Sequence, residues 1–272
     1  MSKSDFVLLR GGGDLATGIA LRLHRAGIKV LITELAQPLA VRRTVAFAEA
    51  VYEGSWEVEG VKARLIEAGQ FSDWHEAEEI PVLVDPDADI LSDNDFFVVV
   101  DARLTKQPPA PLPVSVPLHI GLGPGFTAGS DCHAVVETRR GHTLGRVYWE
   151  GRTQPDSGEP EGDPRRVLRA PQEGILTSQA KVGELLLEGQ LVAEIRSEIG
   201  NRKSKIVSPF PGVLRGLVRD GLRVSKEMKI GDVDPRGDPS YCWLVSDKAL
   251  AIGGGVMEAI LAKGEIRNAL LP

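Results

Sequence analysis

Apolar and polar residues alternate over the first part of the chain in the order strand, helix, strand. Residues 6–9 (FVLL) form a short apolar run, and a glycine-rich turn follows it. Over residues 15–26, apolar side chains recur at the three-to-four-residue spacing of a helix that buries one face. Gly27 stands where a glycine commonly ends a helix, and residues 30–33 (VLIT) are again uncharged and rich in β-branched side chains. This pattern predicts a β-α-β unit.

Later apolar runs continue the alternation, at residues 81–84 (PVLV) and 96–100 (FFVVV). Between them, residues 70–79 are charged and predict a short exposed helix. The predicted fold class is therefore α/β, with an N-terminal Rossmann-like parallel sheet over residues 1–150 that is covered on both faces.

The glycine-rich turn is the first candidate binding site. Its Gly11-x-Gly13-x-x-Ala16 spacing fits the dinucleotide fingerprint, in which free amides at a helix N-terminus face a pyrophosphate. Glu34 ends the second strand, where an acid accepts hydrogen bonds from a ribose; a solvated strand-end acid is the alternative. The predicted cofactor contacts in this turn are Gly11, Gly13, Asp14, Leu15, Ala16 and Thr17. Asp14 would repel a phosphate unless it turns away as the helix N-cap.

Arg42 and Arg43 are predicted to grip a phosphate or pterin group; an exposed helix face is the alternative. A second glycine cluster, GLGPGFTAG, covers residues 121–129. Gly123 and Gly125 within it are predicted to let the backbone approach a ligand, with an irregular loop as the alternative.

The tripeptide Asp131-Cys132-His133 follows that cluster. Adjacent residues seldom reach one ion, so no metal site is predicted. A Cys132–His133 nucleophile pair and a plain buried cysteine both remain open, with burial as the default. Asp101, Asp131 and His133 are candidate proton-transfer groups by position only, and no catalytic residue is assigned.

The second half of the chain begins with residues 151–166, which are polar and rich in Gly and Pro and predict a linker. Residues 170–195 then align without gaps with residues 208–233, at an offset of 38. Over residues 167–240 this repeat resembles the half-motifs of biotinyl and lipoyl carrier domains. The resemblance implies a small β domain of the barrel-sandwich-hybrid kind. The register of the modified lysine falls on Asn201, which argues against a carrier function.

The C-terminal segment, residues 241–272, is predicted to be helical. Residues 246–263 fit a helix that contains three consecutive glycines, Gly253, Gly254 and Gly255. Three glycines disfavour a helix by roughly 3 kcal/mol relative to alanine. Close packing or a ligand contact would explain them, and a break or kink is the alternative.

Composition narrows the class of protein. The chain has 272 residues, a net charge of -6 and two cysteines, which disfavour a nucleic-acid partner and a disulfide framework. Its apolar runs are far shorter than the roughly 20 residues that cross a bilayer, and the N-terminal sequence MSKSDF lacks a secretory pattern. These features predict a soluble, cytoplasmic protein without a membrane partner.

Several long segments together resemble one family. RGGGDLATGIALRLHRAGIKVL, AVRRTVAFAEAVYEG, GLGPGFTAG and SDKALAIGGGVMEAIL are similar to the selenium-dependent molybdenum hydroxylase accessory proteins, the YqeB family. The resemblance implies a maturation factor for such a hydroxylase, which would be its client. Together with the fingerprint, it suggests that the N-terminal half binds a nucleotide or the dinucleotide form of the molybdenum cofactor.

Two other functions stay open. The turn GGGDLA also resembles the GGGDVA loop of precorrin-2 dehydrogenase, which implies an NAD(P)-dependent oxidoreductase. A scaffold that uses this fold without a nucleotide is the third possibility, and a homo-oligomer is possible in each case.

Overall fold

A computed structural model describes residues 4–74, 78–158, 162–197 and 202–271. Contacts divide the chain into two compact units, which are described separately. Unit 1 comprises residues 1–38, 46–156 and 245–272, and unit 2 comprises residues 39–45 and 157–244.

Unit 1 is built on a large mixed sheet. The strands of this unit are β1 (Ser4–Arg10), β2 (Lys29–Glu34), β3 (Ser55–Val58), β4 (Val61–Ile66), β5 (Glu79–Val84), β6 (Phe96–Asp101), β7 (Leu118–Leu122), β8 (Thr127–Ala128), β9 (Ala134–Val136), β10 (Val147–Tyr148) and β11 (Gly151–Arg152). Among the described residues, nine of them form one sheet in the order β10-β9-β7-β6-β1-β2-β5-β4-β3, and β8 pairs with β11.

The centre of this sheet is parallel and its margins are not. β1 runs parallel to β2 on one side and to β6 on the other, whereas the terminal pairs β3–β4 and β9–β10 are antiparallel. β2 lies on one side of β1 and β6 lies on the other, so the strand order changes direction at β1. The carboxyl ends of β1 and β6 therefore border the crevice where ligands commonly bind in open α/β sheets.

The helices of the chain are few and mostly short. They are α1 (Asp14–Arg25), α2 (Ala50–Glu53), α3 (Ile90–Asp93), α4 (Asp247–Leu261) and α5 (Gly264–Leu270). Short 3-10 helices occupy Arg43–Val45, Phe47–Glu49, Ala68–Asp73, Pro164–Arg166 and Pro239–Cys242. Among the described helices, none is long and apolar enough to cross a membrane.

Glycines allow α1 and α4 to pack closely. A Cβ added at Gly18 of α1 would lie 2.6 Å from the Cβ of Ala249, and one at Gly253 of α4 would lie 2.9 Å from the Gly18 carbonyl oxygen. Gly255 meets the loop at Gly145 in the same way. α4 continues through all three of its glycines, so the alternative of a break is wrong, and close packing explains Gly253 and Gly255 but not Gly254.

Unit 2 contains two antiparallel sheets. Its strands are β12 (Val167–Arg169), β13 (Gly174–Ser178), β14 (Leu185–Leu186), β15 (Leu191–Arg196), β16 (Lys203–Val207), β17 (Gly212–Leu217), β18 (Arg223–Val224) and β19 (Lys229–Asp234). Within the described residues, their orders are β12-β19-β17-β14 and β16-β15-β13-β18.

The 38-residue repeat is visible in these strands. β13, β14 and β15 begin at residues 174, 185 and 191, and β17, β18 and β19 begin at residues 212, 223 and 229. β14 pairs with β17, and β18 pairs with β13. Each copy therefore supplies a strand to the sheet of the other copy.

The predicted fold class is wrong in its combination of a Rossmann-like parallel sheet and a barrel-sandwich-hybrid-like domain. The protein is a mixed α/β structure with several sheets. The β1-α1-β2 unit exists, but the later connections are hairpins and short helical turns rather than helical crossovers. The repeat forms two separate four-stranded sheets.

The predictions for the segments at residues 70–79 and 151–166 also need correction. The exposed helix predicted at residues 70–79 is a 3-10 helix at Ala68–Asp73, and residues 75–77 lie outside the described residues. Asn201 also lies outside them. The predicted linker, residues 151–166, contains β11 and the point at residue 157 where unit 2 resumes.

Candidate ligand-binding site

The glycine turn of unit 1 is occupied by the protein's own groups. One carboxylate oxygen of Glu34 accepts a hydrogen bond from the Gly12 N–H at 2.7 Å, and the other accepts one from the Leu35 N–H at 2.7 Å. Burial raises the pKa of Glu34, and these two backbone donors lower it. Glu34 therefore bonds to the glycine turn itself, and its contact with a ribose stays a prediction.

The segment after β2 closes over the same turn. The Ala48 N–H donates a hydrogen bond to the Gly12 carbonyl oxygen at 2.8 Å. A Cβ at Gly12 would lie 2.9 Å from the Ala48 nitrogen. Thr17 donates its hydroxyl to the Gly13 carbonyl at 3.0 Å and accepts the Phe47 N–H at 2.9 Å. The close backbone approach that the glycines permit is therefore to another part of the chain.

The remaining predicted residues of this turn lie together at the start of α1. Gly11 has a positive φ of 95° and leads out of β1. Gly13 is the N-cap of α1 and Asp14 is its first residue, so Asp14 does not take the N-cap position that would have turned it away from a phosphate. Leu15 and Ala16 are buried against the core.

Arg42 and Arg43 belong to unit 2 and hold its own backbone. Arg42 donates to the carbonyl oxygens of Tyr241 and Leu244 at 3.0 and 2.9 Å. Arg43 donates to the Leu217 carbonyl at 3.2 Å. Arg42 is 8% exposed, so the alternative of an exposed helix face is wrong for it.

The second glycine cluster also packs on its own chain. A Cβ at Gly125 would lie 2.4 Å from the Thr105 carbonyl oxygen, and Gly123 has a positive φ of 85° beside the Thr138 hydroxyl. This arrangement matches the alternative of an irregular, self-packed loop.

A pocket of about 580 Å³ lies elsewhere in unit 1. One wall is residues 109–116 (PAPLPVSV), which we call the proline strap, and the other wall is residues 129–133. Leu112, Val114 and Val116 of the strap pack on the apolar core beneath the sheet. Among the described residues, no hydrogen bond joins the strap to the rest of the chain. Apolar contacts therefore hold this wall in place.

His119 of β7 lies in the lining of this pocket and is 6% exposed. Its Nε2 has no hydrogen-bond partner among the described residues. Burial lowers the pKa of His119 to about 4, although the nearby charge of Asp101 raises it. The imidazole is therefore neutral near pH 7.

His133 lies on the opposite wall and is tied to the same strand. Its Nδ1 accepts the His119 backbone N–H at 2.9 Å, so a neutral His133 carries its proton on Nε2. Asp131 accepts the Thr127 N–H at 2.9 Å and borders the pocket with a carboxylate.

Cys132 is a buried thiol, as the default interpretation expects. Its Sγ lies 3.2 Å from the Ala134 carbonyl oxygen, to which it donates. Burial raises its pKa to about 11, and the Nδ1 of His133 is already engaged. The Cys132–His133 nucleophile pair is therefore wrong.

A buried ion pair lies at the carboxyl ends of β1 and β6. Arg10 is 5% exposed and lies 3.6 Å from Asp101, which is 1% exposed. Arg103 binds the same carboxylate at 2.5 Å. One carboxylate thus lies between two guanidinium groups at this end of the sheet.

Sequence reasoning missed His119 and Arg10. Both are polar residues inside otherwise apolar strands, VPLHIGL and FVLLR, and that interruption is the signal that identifies them. Within the described residues, no group of three or more His, Cys, Asp or Glu side chains is arranged to hold a metal ion.

The fold and the pocket define a mixed α/β protein with a side-chain-lined cleft beneath a proline strap. The chain matches no family model. A relative from Escherichia coli (strain K12), described as uncharacterized protein YqeB, is 46% identical over 265 residues, or 96% of this chain and 48% of the relative. The chain thus spans about half the length of that relative.

Solved structures resemble the chain only weakly. The apo form of the ectoine utilization protein EutE (DoeB) from Ruegeria pomeroyi is 10% identical, with 84% of this chain and 85% of that chain covered and a TM-score of 0.28. A succinylglutamate desuccinylase/aspartoacylase from Rhodobacter sphaeroides is 13% identical, with 85% and 86% covered and a TM-score of 0.27. Scores this low do not establish a shared fold or activity.

These findings correct the predicted functions. The YqeB name of the relative agrees with the predicted resemblance, but the molybdenum hydroxylase role is not shown. The structural neighbours are described as aspartoacylases and desuccinylases. The maturation factor and the NAD(P)-dependent oxidoreductase are corrected on the structure instead, because the glycine turn on which both predictions rested is engaged by Glu34 and Ala48 of the chain itself. The assignment of NAD(P) or the molybdenum cofactor to individual residues stays a prediction.

Proposed function

We propose that this chain binds a small, uncharged, partly apolar molecule in the pocket beneath the proline strap. The observation that carries the proposal is a pocket of about 580 Å³ that is lined by the proline strap on one wall and by residues 129–133 on the other. Binding pockets for small molecules commonly measure roughly 300–1,000 Å³ and combine apolar walls with a few polar groups.

The lining favours an uncharged ligand. Pro109, Leu112 and Val114 provide apolar surface on one wall. His119 is neutral near pH 7, and Asp131 would repel an anion. A ligand that buries apolar surface here gains roughly 25 cal/mol for each Å² removed from water.

A fragment screen with a blocking variant tests the proposal. Uncharged heterocycles are screened against the full chain by ligand-observed NMR, and dissociation constants are measured for the best binders. Ala110→Trp places an indole at the exposed rim of the pocket, and we expect it to weaken binding by roughly tenfold or more. That loss corresponds to about 1.4 kcal/mol.

Ser92→Trp is the matched control, because Ser92 is exposed on α3 and outside the pocket lining. Binding should be unchanged in this variant. A screen without binders, or binders that Ala110→Trp leaves unaffected, would contradict the proposal.

A further inference from the structure

We infer that His133 is the specificity-determining residue of the pocket and that its Nε2–H group donates a hydrogen bond to a carbonyl oxygen of the bound molecule. This inference rests on the proposed function, which it deepens by naming the ligand as a neutral carbonyl compound. A molecule of the same shape that lacks the acceptor would lose this bond.

The first step is the tautomer of the His133 ring, which a hydrogen bond of the structure sets. Its Nδ1 lies 2.9 Å from the backbone nitrogen of His119 and accepts that N–H. A ring nitrogen that accepts carries no proton, and a neutral imidazole has a single N–H. The bond made by one ring nitrogen thus fixes the state of the other, so Nε2 of the neutral ring is a donor.

The second step is the fixed position of this ring. The backbone N–H of His133 donates to the His119 carbonyl oxygen at 2.9 Å, so both backbone polar groups of His119 are bonded to His133. His119 lies in β7 and is buried. Rotation of the His133 ring would leave the His119 N–H without a partner, which is unfavourable for a buried backbone group. The donor is therefore held in place before a ligand arrives, which favours binding.

The third step is the access of a ligand to Nε2. His133 is exposed and belongs to the lining of the pocket. Because Nδ1 is turned towards β7, the Cδ2–Nε2 edge of the ring faces away from that strand. Among the described residues, Nε2 of His133 has no hydrogen-bond partner. The exposed side of the ring therefore carries an N–H group that a molecule in the pocket can use.

The fourth step is the charge of the acceptor. The carboxylate of Asp131 borders the same pocket, and none of the described residues that line it is Lys or Arg. A carboxylate or phosphate of a ligand would therefore meet a like charge without a compensating cation. A neutral carbonyl oxygen accepts the N–H without this repulsion. Leu112 and Val114 of the proline strap supply apolar surface for the hydrocarbon part of such a molecule.

Two isosteric probes test the inference on the unmodified chain. Acetophenone carries a carbonyl oxygen, and α-methylstyrene has the same shape with a methylene group in that place. We expect acetophenone to bind at least roughly threefold more tightly, because it gains a hydrogen bond to a neutral donor. Histidine-selective ¹⁵N spectra at pH 8 should show the Nε2–H tautomer of His133. Its Nε2 resonance should move more with acetophenone than with α-methylstyrene.

His133→Asn supplies the matched variant, since its Oδ1 can still accept the His119 N–H while the Nε2–H group is removed. The affinity for acetophenone should fall to that for α-methylstyrene, whose binding should persist. His142→Asn is the control, because His142 is exposed and lies outside the pocket lining. This control should leave both affinities unchanged.

The outcomes separate this inference from the proposed function. Equal or reversed affinities of the unmodified chain for the two probes, or an Nδ1–H tautomer of His133, would overturn the inference alone. A preference for acetophenone that persists in His133→Asn would also overturn it. Binding of neither probe would overturn the inference, and the fragment screen then decides the proposed function. Should His133→Asn fail to fold, the affinities and ¹⁵N spectra of the unmodified chain still decide the question.

Discussion

At the scale of single residues, neighbouring glycines of the first turn face different surroundings. A Cβ at Gly12 would lie 2.9 Å from the Ala48 backbone nitrogen, whereas a Cβ at Gly13 meets nothing within 4 Å. The fingerprint spacing identified Gly11 and Gly13 and passed over Gly12. The position that most needs to be glycine is thus set by a segment more than thirty residues away.

This difference predicts opposite outcomes for two alanine substitutions. Gly12→Ala should lower the free energy of unfolding by about 1–3 kcal/mol, because the added methyl overpacks a fixed backbone. Gly13→Ala should change it by less than about 1 kcal/mol, since its φ of -64° suits alanine. Urea denaturation of both variants measures the contrast. Equal effects would show that the segment at Ala48 does not pack on the turn.

The two thiols of the chain should be inert in the folded state. Cys132 and Cys242 are buried, and burial raises the pKa of both. The thiolate is the reactive form of cysteine. Ellman's reagent at pH 8 should therefore react with less than one thiol per native chain, and with two thiols per chain after unfolding in urea. Fast reaction of Cys132 in the native protein would restore a nucleophilic function.

At the scale of elements, two adjacent glycines of α4 have opposite surroundings. Gly255 would place a Cβ 2.1 Å from the Gly145 carbonyl oxygen, and Gly254 faces open space. Gly254→Ala should stabilise the protein by about 0.5–1 kcal/mol through helix propensity. Gly255→Ala should destabilise it by roughly 1–3 kcal/mol. Thermal unfolding of the two variants checks the signs, and a gain at both positions would contradict the close packing of α4.

Strand β19 supplies a prediction for acid stability. The side-chain hydrogen bond from Arg236 lowers the pKa of Asp234 from its ordinary 3.8 to about 2. The ionised carboxylate of Asp234 is therefore stabilised more in the folded state than in the unfolded state. This contribution is present above about pH 4 and is lost as the pH falls towards 2.

Asp234→Asn should accordingly cost roughly 2 kcal/mol of unfolding free energy near pH 7. The difference from the parent chain should shrink as the pH is lowered from 4 to 2. Urea midpoints measured across this range give the result. A difference that is constant with pH would assign the effect of the substitution to packing.

The sequence predicts elements best where local patterns suffice. The β1-α1-β2 unit, the end of α1 at Gly27 and the repeat offset all follow from periodicity and turn chemistry. The antiparallel margins of the large sheet do not, because they depend on which strands meet. The pocket is invisible to periodicity as well, since it forms only when the proline strap and residues 129–133 approach the same strand.

At the scale of the whole molecule, unit 2 carries an asymmetry between its two copies. Leu185 and Leu187 are 61% and 71% exposed. Their equivalents at the 38-residue offset are Arg223 and Ser225, which are also exposed. The first copy thus exposes leucines at positions where the second copy has polar side chains.

Replacing each leucine by its repeat equivalent tests what these side chains do. The double variant Leu185→Arg, Leu187→Ser should change the unfolding free energy by less than about 0.5 kcal/mol for each site, because neither side chain is buried. Its binding of the dye ANS should fall. A large loss of stability would show that the two leucine side chains are buried in solution rather than exposed to solvent.

The contacts of Arg42 bear on how the chain folds as it leaves the ribosome. Arg42 bonds to Tyr241, which is made 199 residues later. At roughly 5–20 residues per second, the arginine waits on the order of 10–40 s for its acceptors. During this interval its neighbours Val41 and Thr44 also lack the surfaces that bury them, since those surfaces come from residues 216 and 242. Until residues 216–244 have been made, these side chains of the nascent chain therefore lack the partners that they have in the folded protein.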